Sequence, residues 1–447
     1  MDRLAVGDVR TAARGAWLFE QIVSMGTVVL KDLGGGRTGE MGAHRFLSSP
    51  HVSVEDLIAA LSARTGQACR GRRVVAVQDT TEINFSGRAA ARRGLGAGGD
   101  GRTPGFFIHP VVAVDVEAEA LLGLVDAQIW TRGQAPAGPR ARRPLEDKES
   151  CRWIEGTQAA ARRLAEAAQV VSVADQEGDI WAHFARRPAS VELLVRARHD
   201  RALVDGGPLF AAPAAWPCLA VDAITIGPRR IGERPRQARI ELRAGAVQVA
   251  APRNAAAGDP RRLDLTLVEA REVDAPPGVE PVQWRLLTTL PAEDAAAARD
   301  IVGLYRLRWR IEEVFRALKR DGLRLEQTQL QEAERLFRLA ALALGAAVRI
   351  LQLTDARDGS SRPMSDVLDE RFTEAVEALG RAREGGSERQ KNQHASGSLP
   401  RLAWIVARYG GWNCYGKPPG PKTMAKGWQR LCAAISGFII AKADALV

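Results

Sequence analysis

Two apolar, β-branched runs, each stopped by an aspartate, most constrain this chain: VVAVQD ends at Asp79 and VVSVAD at Asp175. Short valine-rich runs bounded by polar residues read as buried strands, because too few residues are present for a helical stripe. The first belongs to GRRVVAVQDTTEINF, read as one alternating strand. FFIHPVVAVDVEAEALLGLVDAQIWTR then reads as two strands joined near Glu117 to Glu119, which completes a three-strand antiparallel meander. KESCRWIEGTQAAARRLAEAAQ reads as a helix, VVSVAD as a strand, QEGDIWAHFARR as a helix and VELLVRAR as a strand.

Strand, strand, strand, helix, strand, helix, strand is the element order of a ribonuclease H-like α/β fold, a mixed sheet flanked by helices. A chain of 447 residues has room for more than this core. Residues 1–70 read as a basic helical domain, with Ser53 placed to cap SVEDLIAALSART. Residues 71–355 hold the ribonuclease H-like core, with a β-rich insertion at about 200–290. In that insertion ARIELRAGAVQVAAP reads as a hairpin turning at Ala244-Gly245. Residues 356–447 follow linker-like segments and read as a helical module suited to subunit contact.

The formal net charge of +10, with a pI near 9.8, favours a polyanionic partner. Cys69, Cys151, Cys218, Cys414 and Cys432 are scattered, without CxxC or Cys/His metal spacing, and suit reduced thiols in a cytoplasmic protein. The opening MDRLAVGDVR lacks an apolar signal region, and the longest apolar run, residues 336–353, contains Arg338 and Arg349. The expectation is no membrane association.

Chemistry concentrates in residues 305–320, YRLRWRIEEVFRALKR. On one helix at about 100° per residue, Tyr305, Arg308, Glu312, Arg316 and Lys319 share a face. Leu304, Leu307, Ile311, Val314, Phe315 and Leu318 form the adjoining apolar arc. Glu313 rotates off that face and reads as an ordinary helix residue. If the strands ending at Asp79 and Asp175 are neighbours, their carboxylates converge and the helix bearing Glu312 can cover the same edge. Three clustered carboxylates repel unless a cation neutralises them, and oxygen ligands suit a hard divalent ion, Mg²⁺ or Mn²⁺. Two such ions would support in-line phosphoryl transfer, with Arg308, Arg316 and Lys319 holding phosphates. An isolated Asp after a strand is more often a turn or cap, so the reading rests on the combination.

Tyr305, Arg308, Glu312 and Lys319 match the Y-(2)-R-(3)-E-(6)-K signature, and with VQDTTEINF, VADQEGDIWAHF and WRLLTTL the chain resembles DDE cut-and-paste transposases of the insertion-sequence-four type. The resemblance implies a metal-binding catalytic triad of Asp79, Asp175 and Glu312. It implies cleavage at transposon ends through a hairpin and strand transfer into target DNA, by a homodimer on double-stranded DNA. It further implies that Tyr305 and Arg308 grip a phosphate near a flipped base, that Trp284 stacks on that base, that Arg316 and Lys319 touch backbone, and that Arg14 contacts the transposon end. Gln176 stands where many relatives have Arg. A cytoplasmic, nucleoid-associated location follows from the same reading.

A structure-specific endonuclease that shares the triad, and a catalytically silent DNA-binding regulator, are the rival readings. Gly94, Gly96 and Gly99 fall in GxGxxG register, but TPGFFIHP after them is a strand pattern, so the dinucleotide reading fails and a DNA-facing loop is expected. Trp130 and Trp153 read as core residues, and His44 and His109 lack metal partners.

Overall fold

The computed structural model describes residues 6–85, 92–133, 145–226, 235–319, 322–357, 359 and 362–444. Its strands are β1 (Arg73–Gln78), β2 (Thr81–Asn84), β3 (Gly96–Ala97), β4 (Pro104–Asp115), β5 (Leu121–Trp130), β6 (Gln169–Ala174), β7 (Glu192–Arg196), β8 (Ala220–Ile226), β9 (Arg236–Ala250), β10 (Arg262–Val273) and β11 (Gln283–Thr288). This is a mixed α/β chain with helices towards both ends. It divides into two compact units, described separately.

One unit draws on Gly71–Asp79 and Gly138–Trp309. Its sheet runs β1-β6-β7-β11-β10-β9-β8; the first three strands are parallel and the remaining pairings antiparallel. β1 and β6 are buried along nearly their whole length, as expected of parallel strands covered on both faces. The helix Cys151–Arg163 packs on both, and its Trp153 enters a core with Ala174, Trp181, Phe184, Leu193, Val195 and Leu287. β8 alternates between half-buried and exposed positions, as suits a strand ending the sheet's hydrogen-bonded order.

The other unit draws on described parts of Met1–Arg70, Thr80–Ala137 and Arg310–Val447. Helices Val9–Met25, Leu30–Gly34, Arg37–Leu47, Val54–Ser62 and Thr65–Cys69 fill the amino-terminal region, and Ser53 caps its helix by accepting from the Asp56 N–H at 3.0 Å. β4 pairs antiparallel with β2, β3 and β5. In the β4–β5 turn, Asp115 accepts from the N–H groups of Glu117 and Ala118. The long helix Ala333–Ala356 packs on β5 and Val9–Met25. It is apolar and long enough to cross a membrane, yet 89% of its most apolar window is buried in protein. Its arginines donate to backbone carbonyls: Arg338 to Val52 and Leu47, Arg349 to Val367.

Four local expectations change. GRRVVAVQDTTEINF is two strands, not one, because the chain leaves the strand path at Asp79-Thr80: β1 pairs parallel with β6, whereas β2 pairs antiparallel with β4. ARIELRAGAVQVAAP lies within one uninterrupted strand, β9, without a turn at Ala244-Gly245. Gly245 serves close approach instead: a Cβ there would stand 2.6 Å from the Trp216 ring. QEGDIWAHFARR is a 3₁₀ turn, Gln176–Gly178, followed by a short helix, Trp181–Ala185. Asp175 caps the turn, and Asp179 is drawn to the N–H groups of Arg198 and His199 at 2.7 and 2.9 Å. Residues 305–318 are three pieces rather than one helix: Ala295–Arg306 ends, Leu307–Trp309 tightens into a 3₁₀ turn, and Arg310–Leu318 begins.

Candidate active site

The register of β1 on β6 pairs Val74 with Val170 and Val77 with Val173. Asp79 and Asp175 each lie two residues beyond that last pair, the first residues past the ends of adjacent parallel strands. Neighbouring strands run about 4.8 Å apart. Two ionised carboxylates about 5 Å apart repel by roughly 3 kcal/mol at an effective dielectric near 20, so this pair calls for a cation.

The unit itself supplies one. The 3₁₀ turn Leu307–Trp309 carries Arg308 to Asp79, where Nη1 stands 2.9 Å from Oδ2, with both side chains largely shielded from water at 11% and 14% exposure. A second arginine comes from the next strand. β6 pairs with β7 from Val171↔Glu192 to Ala174↔Val195, so Arg196 stands level with Asp175. Arg196 was missed in the sequence because only strand register reveals it.

Tyr305 is buried in the same unit, which pushes its hydroxyl pKa up; Arg308 and Arg196 oppose that rise and Asp175 adds to it. Trp284, half-buried on β11, meets Tyr305 edge to face with centroids 5.5 Å apart and an angle of 65°. It packs against Ala238, Ile240, Leu242 and Ala270, so β9 and β10 brace it from beneath. Asp79, Asp175, Tyr305, Arg308 and Trp284 thus belong to one compact unit. Gln176 is exposed after Asp175.

The remaining candidates lie in the other unit. Glu312 is half-buried on the helix Arg310–Leu318, whose Ile311, Val314, Phe315 and Leu318 are buried as the apolar arc requires. Arg310 pairs with Glu313 and with Asp355, tying that helix to Ala333–Ala356 and giving Glu313 a structural role. Arg316 is exposed and Lys319 half-buried. Arg14 is exposed on Val9–Met25, with its guanidinium 5.3 Å from the Trp17 ring centre. His109 is fully buried on β4, with Nδ1 2.9 Å from the Thr80 hydroxyl. Trp153 is fully buried, and Trp130 stacks on Phe107 at 5.4 Å. The glycine-rich stretch folds onto β4, with Gly96 paired to Gly105, and no dinucleotide-type helix follows.

Among the described residues, no three His, Cys, Asp or Glu side chains are gathered as a ready metal site. The donors that follow the neighbouring strand ends, Asp79 and Asp175, are hard carboxylate oxygens and fit Mg²⁺ or Mn²⁺ rather than a thiophilic ion.

Residues 229–349 match the family model described as Transposase DDE domain. That match supports a DDE transposase. The matched segment contains Trp284, Tyr305, Arg308, Glu312, Arg316 and Lys319, and it leaves Asp79 and Asp175 outside. The register of β1 on β6 is therefore independent of the transposase match.

Proposed function

We propose that this chain is a DNA transposase of the insertion-sequence-four type, with a ribonuclease H-like core that cuts transposon ends and joins them to target DNA. One observation carries the reading: Asp79 and Asp175 directly follow adjacent parallel strands, each two residues past the same paired level, with Arg308 on Asp79. Asp79 and Asp175 would hold divalent ions, with Glu312 as third ligand. When bound, such ions supply charge for the attacking and leaving oxygens of phosphoryl transfer.

The chain's own groups do the rest. Arg308 neutralises Asp79 in the free protein and turns to a DNA phosphate when substrate arrives, and its flat guanidinium suits bidentate phosphate contact. Tyr305, braced by Trp284, fixes the position of that phosphate. Trp284 stacks on an extruded base, in keeping with a hairpin pathway. Arg316 and Lys319 hold backbone, and Arg14 in residues 1–70 contacts the transposon end. Residues 356–447 provide the dimer contact of a homodimer working in the bacterial cytoplasm at the nucleoid. The net charge of +10 supports a polyanionic substrate.

The test is strand transfer with a precut 3′ end. Joining to target DNA supports transposition, whereas cleavage of intact ends without joining supports the endonuclease reading. Binding without cleavage or joining supports the silent regulator.

A further inference from the structure

Beneath the two aspartates lies a polar cluster in a place where hydrocarbon would pack at lower cost. Gln78, Thr157, Ser172 and His183 are at most 1% exposed. The Thr157 hydroxyl is its centre, 3.0 Å from Gln78 Nε2, 2.9 Å from Ser172 Oγ and 2.8 Å from His183 Nε2. Gln78 Nε2 also reaches Ser172 Oγ at 3.0 Å and the Trp153 carbonyl at 3.2 Å. His183 Nδ1 lies 3.0 Å from the Gly178 carbonyl.

These contacts assign the protons. The Gly178 carbonyl only accepts, so His183 Nδ1 carries hydrogen and Nε2 accepts from the Thr157 hydroxyl. Thr157 Oγ1 then accepts from Gln78 and Ser172, which saturates it. The circuit closes without a charged member, in keeping with burial that pushes the His183 pKa down to about 4.

Its members hold the backbone just before Asp79 and on both sides of Asp175. Gln78 directly precedes Asp79, Ser172 lies three residues before Asp175, and Gly178 lies three after it. Gly178 is pressed into place: a Cβ there would stand 2.5 Å from the Ala174 Cβ and 3.2 Å from the Trp153 ring. Thr157 belongs to Cys151–Arg163 and His183 to Trp181–Ala185. One hydroxyl therefore ties β1, β6 and two helices together just below Asp79 and Asp175. A fully satisfied buried network specifies a single arrangement, which an apolar core of similar volume does less sharply.

We propose that Thr157 and His183 are positioning residues that set the spacing of Asp79 and Asp175 for a divalent ion. This rests on the reading of those aspartates as metal ligands. Thr157→Val keeps the shape and removes the central hydroxyl; Thr157→Ser restores it; Ser172→Ala is a milder removal of a neighbouring hydroxyl. Mn²⁺ is titrated into each full-length chain and free ion is followed by electron paramagnetic resonance, beside the Mn²⁺ concentration for half-maximal DNA cleavage. Thr157→Val and Ser172→Ala should weaken Mn²⁺ binding about 10- to 100-fold, the usual effect of removing groups that orient ligands, with Thr157→Ser close to wild type.

Should Thr157→Val fail to fold, Ser172→Ala decides alone. Wild-type affinity in a folded variant lacking either hydroxyl overturns the positioning role and leaves the aspartate reading intact. A wild-type chain that binds no more Mn²⁺ than Asp79→Asn overturns the aspartate reading, and the positioning role with it.

Discussion

Asp79 and Asp175 follow directly on β1 and β6, each two residues beyond the Val77↔Val173 pair, and Arg308 stands 2.9 Å from the first of them. The guanidinium compensates the largely shielded Asp79 carboxylate. Arg308→Met should therefore lower stability by about 1 to 3 kcal/mol at neutral pH, within the range for removing one partner of a shielded pair after allowance for solvent. Mn²⁺ should restore much of that loss, because a ligand of the folded state stabilises it by mass action. Urea unfolding with and without Mn²⁺ checks this; a variant no more stabilised by Mn²⁺ than wild type contradicts it.

If the proposed hairpin pathway operates, Trp284→Ala should impair hairpin formation more than first-strand nicking, because it removes the ring proposed to stack on the extruded base while the carboxylates are untouched. Gel analysis of both products on an end substrate measures the two steps. Equal loss of both would show that the ring only supports Tyr305.

The buried His183 gives a pH signature. Its pKa of about 4 in the folded chain lies below the ordinary 6.5, because burial disfavours the charged ring. Below pH 6.5 the unfolded chain takes up a proton that the folded chain refuses, so this contribution is complete above 6.5 and is lost as pH falls towards 4. The loss approaches about 3 kcal/mol at roughly 1.4 kcal/mol per pH unit. Chemical denaturation across that window should become flatter in His183→Gln. An unchanged slope would place the titration elsewhere.

Much of the sheet was legible because burial on both faces leaves its mark on composition: VVAVQ and VVSVA could hardly be anything but interior strands. Glu313 was also legible, since helical phase within Arg310–Leu318 turns it from Glu312. What failed depends on partners distant in sequence. Gly245 looked like a turn because the Trp216 ring that demands it is invisible locally. The break at Leu307–Trp309 carries neither Gly nor Pro, and its meaning lies in the reach of Arg308 to Asp79. Arg196 gained significance only through register, and Gln78 and Ser172 passed as ordinary strand residues until Thr157 joined them.

Gly245→Val should destabilise the chain by about 1 to 3 kcal/mol, because the added side chain must displace the Trp216 ring or bend β9. Combining it with Trp216→Ala should relieve most of that cost, a coupling read from a double-mutant cycle in urea. Simple additivity would mean the ring is not the obstacle.

The most direct test is Mn²⁺-dependent cleavage of DNA carrying the element's own ends by wild type, Asp79→Asn, Asp175→Asn and Glu312→Gln, with DNA binding measured in parallel. The expected result is cleavage by wild type alone, with binding retained in all four. Cleavage at wild-type rates by any of the three variants would contradict the assignment of that carboxylate.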